Sequence, residues 1–416
     1  MANILYLVHR LPFPPNKGDK VRSYHLLKHL AAKHRVFLGT FVDDPEDEVH
    51  VEAVQSICAE LHVSALKPRT AKFRSLAALL DGRPLSLAYY ADRAMREWVA
   101  KIMVEQSIDA TVVFSSAMGQ YAVSPTTIHS GPILVDFVDV DSTKWTQYAS
   151  QHRWPMSWIY AREGRRLLAY ERELASSARM SFFVTENEAT LFRRLAPESA
   201  KLVREIGNGV DSDFFASHLA RQSPFGSGEI PVVFTGAMDY WPNIDAVTWF
   251  VADMLPQLRQ TDHRIRFYVV GRSPVPAIRS LASQTVVVTG TVPDVRPYLQ
   301  HAAVVVAPMR VARGVQNKIL EAMSMGRPVV AARDCADAIS AVDGQELIAA
   351  TTAPEYVDAV RRLINGAALA NLIGAAGRLC VVNRFSWGAH LSKLDVYLSS
   401  PKPDQRVAVQ ECHEPA

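Results

Sequence analysis

The chain has 416 residues, 49% hydrophobic and 21% charged, with a formal net charge of +3. That length exceeds one ordinary core and suits two domains of about 180–200 residues, and the profile is globular, not disordered. So mild a charge argues against nucleic-acid binding. The four cysteines, Cys58, Cys335, Cys380 and Cys412, stand far apart without a C-x-x-C, which speaks against a zinc or redox motif and suits a reducing cytoplasm.

The N-terminal residues run straight into a strand-like segment, so no signal peptide is expected, and no apolar run approaches the ~18 residues of a membrane span. In the first half, segments 4–8, 36–41, 110–114, 133–137 and 180–184 read as buried strands. In the second half, 232–235, 266–270, 286–289, 304–307 and 329–331 do the same. Short continuous apolar runs between helix-length segments indicate α/β units with parallel sheets covered on both faces. A boundary is expected near 205–209, dividing domain 1–204 from domain 205–382. A helix at 383–400 is expected to pack back on the first domain, and the polar tail 401–416 to be disordered.

Chemistry-bearing residues sit mainly at the ends of these strands. After the first strand, segment 9–22 carries three prolines before Gly18, which permits close backbone approach just ahead of a helix bearing Arg22 and His25. This loop could touch a ligand, or could be a surface loop with Asp19 as a helix cap. His25 and His29 are four apart, but no third metal ligand stands nearby, so they read as an ordinary helix face. Segments 67–80 and 154–166 mix cations with apolar and aromatic residues, a composition that suits an anionic membrane surface as well as a packed helix.

Ser115 and Ser116 end another strand with hydroxyls suited to a sugar, although serines are also common turn residues. Asp136, Asp139 and Asp141 follow at the end of the next strand; Asp139 and Asp141, two apart, would share one side while the strand persists, and like charges gathered there invite a ligand or a turn. Asp141-Ser142 could alternatively cap the next helix. Thr185 to Glu188 reads as a helix cap. In the second half, Gly236 and Ala237 to Asn243 form the first strand–loop, Gly271-Arg272 ends the next strand, and Val292 lies in the loop after the third. Last comes 314–330: a glycine-led loop, a helix, a glycine stop and a buried strand. A helix N-terminus collects free N–H groups and partial positive charge, so it suits a phosphate. Lys318 in its first turn opposes the dipole and costs roughly 0.3–1 kcal/mol unless an anion answers it. Asn317 and Glu321 share its face, while Ile319, Leu320 and Met323 turn to the core.

Glu321, Ala322, Met323, Gly326, Pro328, Val329 and Val330 resemble the second half of the donor-site motif of glycosyltransferase family 4. Members of that family have the GT-B fold, two facing Rossmann-like domains with parallel sheets and an interdomain cleft. The usual motif has a first glutamate eight positions earlier, where this chain has Arg313. The Pro-Pro-x-x-Gly-Asp-Lys-x-Arg run at 14–22 is similar to a subgroup of sugar transferases associated with PEP-CTERM/exopolysaccharide systems. The resemblance implies a retaining transferase that moves a sugar from a nucleotide-sugar donor to a glycan or lipid-linked acceptor, with no metal and no further cofactor. By the same resemblance, Gly18, Gly236, Gly271, Arg272, Val292, Arg313, Gly314, Val315 and Asn317 would surround the donor. Lys318 would stabilise the leaving diphosphate and Glu321 would hold donor hydroxyls. Arg22, Ser115, Ser116, Asp139 and Asp141 would face the acceptor, with Asp139 standing near the point where relatives carry a histidine base. Relatives often supply two basic residues near 237 and 243; here Ala237 and Asn243 stand there, so Lys318, with Arg313, is expected to compensate. Arg313 also suggests an acidic or unusual sugar. A GT-B nucleotide-sugar epimerase and a catalytically silent glycan-binding relative are the alternatives. The expected location is the cytoplasm or the inner face of the cell membrane.

Overall fold

Short, largely apolar runs suit strands buried on both faces of a parallel sheet flanked by helices, and the chain builds two such sheets. The computed structural model describes residues 1–15, 18–123, 131–311 and 315–399. The chain folds into two compact units, Met1–Asn208 with the described residues from His390 onward, and Gly209–Ala389.

The first unit contains β1 (Asn3–Val8), β2 (Arg35–Val42), β3 (Glu60–Ala65), β4 (Ala110–Phe114), β5 (Ile133–Val138), β6 (Met180–Phe183) and β7 (Val203–Glu205). They pair in the order β3-β2-β1-β4-β5-β6-β7, every neighbouring pair parallel. The order reverses between β1 and β4, opening a crevice at the carboxyl ends of those strands, where open α/β sheets bind ligands. Leu5, Leu7, Phe37, Val113, Val135 and Phe183 centre the core. Helix Trp387–Ser399 ends in this unit, where Asp395 accepts from His29 Nε2 at 2.8 Å and from Lys33 Nζ at 2.6 Å.

The second unit contains β8 (Ile230–Thr235), β9 (Ile265–Val270), β10 (Val286–Gly290), β11 (Val304–Ala307), β12 (Val329–Ala332) and β13 (Ile348–Ala350). They pair in parallel in the order β10-β9-β8-β11-β12-β13, so this sheet reverses between β8 and β11. Its core runs from Val232 and Phe234 through Val305 and Leu320 to Val381.

Both sheets are the α/β architecture that the alternating runs predict. Three strands that the apolar pattern does not show, β3, β7 and β13, are all sheet edges. An edge strand is half-covered or very short, so it carries a weaker apolar signal: β3 reads Glu-Leu-His-Val-Ser-Ala, and β7 and β13 have three residues each. Among the described residues, no single helix is long and apolar enough to cross a membrane.

Candidate functional site: a phosphate-suited cleft in the second unit

At the β8/β11 reversal a cleft of about 630 Å³ is lined by Thr235 at the end of β8 with Gly236, Ala237 and Asn243 after it, Gly271 and Arg272 after β9, and Thr291, Val292 and Val295 after β10. Val315, Gln316, Asn317, Lys318 and Glu321 close it at the start of helix Asn317–Ser324. That helix forms because Ile319, Leu320, Ala322 and Met323 fall on one side and are fully buried, worth about 1.5–3 kcal/mol for each large side chain. The same 3.6 periodicity turns Asn317, Lys318 and Glu321 toward the cleft. The side chain of Gln316, the residue at its N-cap, makes no cap hydrogen bond, and an anion is a natural acceptor for N–H groups of a first turn.

Two glycines let the loops come this close. A Cβ on Gly271 would stand 1.7 Å from the Gly236 carbonyl oxygen, and one on Gly236 would stand 2.7 Å from Asn243 Nδ2 and 3.1 Å from Lys318 Nζ. Any larger residue at 271 must displace backbone.

Lys318 is the electrostatic centre. Its ammonium lies 4.3 Å from the centre of the Phe234 ring, a favourable cation–π contact, and donates to Asn243 Oδ1. Asn243 Nδ2 in turn donates to the Ala237 carbonyl at 2.8 Å, which fixes the amide with its oxygen toward the lysine. Burial lowers the Lys318 pKa to about 8, against the upward pull of Cys335 and Glu321. Burial likewise raises Glu321 to about 7, with Lys318 opposing. Each group is destabilised by dehydration and eased by the other's charge. An anion entering the cleft would restore the cationic lysine, and a hydroxylated ligand could be held by Glu321.

Of the residues singled out from sequence, Gly236, Gly271, Arg272, Val292, Val315, Asn317, Lys318 and Glu321 meet in this cleft. Arg313 and Gly314 lie outside the described residues. Gly18 begins helix Gly18–Ala31 and belongs to the first unit, not to the unit that holds this cleft. The pairing of Asn243 with Lys318 joins residues 75 apart, and no local pattern announces it.

The first-unit residues take other positions. Arg22 is buried: its Nε donates to Asp136 Oδ2 at 2.7 Å, its Nη2 to Oδ1 at 3.2 Å, and its Nη1 to Asn208 at 3.1 Å. The expectation of an acceptor contact there gives way to a structural ion pair. Asp136, Asp139 and Asp141 do not share one strand face: Asp136 and Asp139 are an odd three residues apart, and β5 ends at Val138, whose φ of 68° turns the chain. A positive φ at a β-branched residue costs on the order of 1–3 kcal/mol, and Asp136 Oδ1 supports it by accepting from the Val138 N–H at 3.2 Å. Asp139 and Asp141 both take the Lys144 ammonium, at 2.8 and 3.0 Å. Asp141 is the first helical residue, not a cap: the preceding Val140 makes no side-chain cap bond. Glu188 takes the Val140 N–H at 2.7 Å, and Glu171 takes the Ser142 N–H and hydroxyl. Thr185 does cap its helix, accepting from the Glu188 N–H at 3.2 Å. Ser115 turns the chain after β4 with φ 75°, and Ser116 is buried.

Sequence reasoning reads a loop after the first strand that leads at Gly18 into a helix, and singles out neither His9 nor Arg10. In the structure the His9 ring stacks on Phe114 at 5.8 Å. Arg10 binds Asp43 at 2.8 Å and Asp19 at 2.8 Å, so Asp19 is an ion-pair partner. The hydrogen bond from His9, helped by Arg10, holds the Asp19 carboxyl well below the usual carboxylate range.

Residues 229–366 match the family model of glycosyl transferases group 1. No curated protein sequence matches the chain. Solved structures share its fold over nearly all of its length. HepE from Anabaena in complex with UDP superposes with a TM-score of 0.60 at 15% identity, covering 96% of this chain and 100% of that one. Sucrose-phosphate synthase from Thermosynechococcus elongatus gives 0.58 at 17%, covering 95% and 98%. WaaG, a glycosyltransferase involved in lipopolysaccharide biosynthesis, gives 0.53 at 15%, covering 95% and 100%. The two Rossmann-like units of this chain thus have the GT-B fold.

Proposed function

We propose that the chain is a glycosyltransferase whose second unit binds a nucleotide-sugar, the sugar passing to a glycan or lipid-linked acceptor. The observation that carries this reading is the Lys318–Glu321 pair at the start of a helix, in a cleft of about 630 Å³ at a sheet reversal. The match of residues 229–366 to glycosyl transferases group 1 supports it, as does the likeness to structures whose names record UDP, UDP with glucose, and UDP-glucose.

In this reading the diphosphate lies against the first N–H groups of helix Asn317–Ser324 and the Lys318 ammonium. As the bond from the anomeric carbon to the diphosphate oxygen lengthens, negative charge grows on that oxygen. A fixed, largely dehydrated cation and a helix N-terminus stabilise that charge without reorganising. Glu321 accepts from donor hydroxyls, and Gly236 and Gly271 let the backbone approach the nucleotide. Retention of configuration and a role in exopolysaccharide assembly rest on the sequence resemblance alone. So does the idea that Arg313 selects an acidic sugar, which tighter binding of an uncharged hexose donor than of a uronic acid donor would count against. Cytoplasmic location fits the dispersed cysteines.

A thermal-shift screen against nucleoside diphosphates and nucleotide-sugars, with wild type and Lys318→Ala, tests the reading. A ligand at a hundredfold excess over Kd stabilises by about 2.7 kcal/mol. One selective shift, lost in the variant, is expected. The absence of any shift would favour the silent relative.

A further inference from the structure

Segment 67–80 is folded inside out for a soluble protein. Helix Pro68–Ser75 and the turn of helix at Ala78–Asp81 turn small residues inward: Ala71, Ser75 and Ala78 are buried. The bulky apolar residues point to solvent, Phe73 at 76% exposure, Leu76 at 46% and Leu80 at 94%. Their spacing of three and four keeps them on one side. Cations flank them: Lys67, Arg69, Lys72, Arg74 and Arg83 are all exposed. Between residues 66 and 90 the only acidic residue is Asp81, and it is paired with Arg83 at 2.7 Å.

A second segment adjoins this one. Helix Met156–Ser177 packs against the first, with Arg162 Nη2 donating to the Ala78 carbonyl at 2.6 Å and Arg166 lying beside Gly82. One turn before Arg162, Trp158 is 51% exposed, and Trp154 just ahead of the helix is 81% exposed. Arg153, Arg165 and Arg166 are exposed. The one acidic residue between 152 and 169, Glu163, is buried and occupied by the Leu85 N–H, the Ser86 N–H and the Ser86 hydroxyl. The surface therefore pairs apolar and indole side chains with a rim of cations and almost no free carboxylate.

From this we infer that the face formed by Phe73, Leu76, Leu80, Trp154 and Trp158 docks on an anionic lipid bilayer. A protein partner would have to supply an acidic rim around an apolar socket. A bilayer supplies both at once, anionic headgroups at the depth of the cations and acyl chains beneath them. Tryptophan suits the boundary because its ring is apolar and its N–H is wet. Arginine and lysine stems add apolar contact while their heads stay with the phosphates. Apolar side chains this exposed in one place mark an interaction site. The consequence for the proposed transferase, on which this part alone rests, is an acceptor presented at a membrane, hence a lipid-linked glycan.

Sedimentation with vesicles tests the docking without any nucleotide. The full chain is mixed with vesicles of phosphatidylcholine alone or with phosphatidylglycerol, at ~0.1 M and ~0.5 M salt, where screening lengths differ about twofold. Wild type is expected to sediment with the anionic vesicles only, and less at high salt. Phe73→Ser with Leu80→Ser, and separately Arg69→Ala with Lys72→Ala, should each weaken binding by about tenfold or more, while the nucleotide-induced thermal shift stays unchanged. No sedimentation of wild type, or equal sedimentation of the variants, overturns the inference. So does light scattering that shows a dimer dissolved by the serine variant, which would assign the face to a second copy. A failed nucleotide screen with intact vesicle binding would instead sink the transferase reading and leave the docking surface standing.

Discussion

Lys318 shows how one residue's chemistry is set by its neighbours. Dehydration lowers it to about 8, so it is charged below that pH and loses its proton above it. Affinity for a nucleoside diphosphate is therefore expected to fall as pH rises through about 8, measured by calorimetric titration from pH 6.5 to 9.5. Lys318→Arg should flatten that fall, because a guanidinium stays charged throughout. Asn243 is the residue that holds the ammonium in place. Asn243→Asp should move the fall to higher pH, since a carboxylate favours the charged lysine, yet weaken binding by adding a negative charge beside the phosphates. Asn243→Ala should weaken binding roughly tenfold, the scale of one hydrogen bond to a charged group. A variant with unchanged affinity and pH profile would remove Asn243 from the site.

At the scale of elements, a buried carboxyl links two helices of the first unit. Glu171 on helix Met156–Ser177 accepts from the Ser142 hydroxyl at 2.6 Å and the Ser142 N–H at 3.3 Å, at the start of helix Asp141–Gln151. Burial raises its pKa to about 8. Between the ordinary carboxyl value and 8 the folded state holds a proton that the unfolded state has released. Stability is thus fullest below the unfolded value and is lost as pH rises, by about 1.4 kcal/mol per unit across that window. Glu171→Gln should flatten the dependence of melting temperature between pH 5 and pH 8. Unaltered curves would mean the carboxyl is ionised in place. Elements also differ in how plainly the sequence announces them. Strand β11 is apolar throughout and β4 is broken only by Thr111, and both are bounded correctly from sequence, whereas β3 buries little and is legible only once β2 lies beside it.

On the scale of the whole molecule, two units with separate cores should respond to different perturbations. Asp136→Ala strands the buried Arg22 charge and should cost the first unit about 3–5 kcal/mol, seen as a lowered transition in scanning calorimetry. The double change Arg22→Met with Asp136→Leu should recover much of that loss. A nucleotide should instead raise the transition of the second unit; movement of one common transition by both would show that the units unfold together. The α/β class, ten of the strands, and the helix that carries Lys318 and Glu321 are legible in the amino-acid order alone. Those features follow from periodicity and local chemistry, which a linear text displays. Packing between distant segments set the rest. It buried Arg22 against Asp136, gave Asp139 and Asp141 to Lys144, set Asn243 under the Lys318 ammonium, and left Phe73 and Leu80 in solvent. In each case the outcome depends on which distant segment arrives as a neighbour, or fails to, and dehydration and pairing are properties of that neighbour as much as of the residue itself.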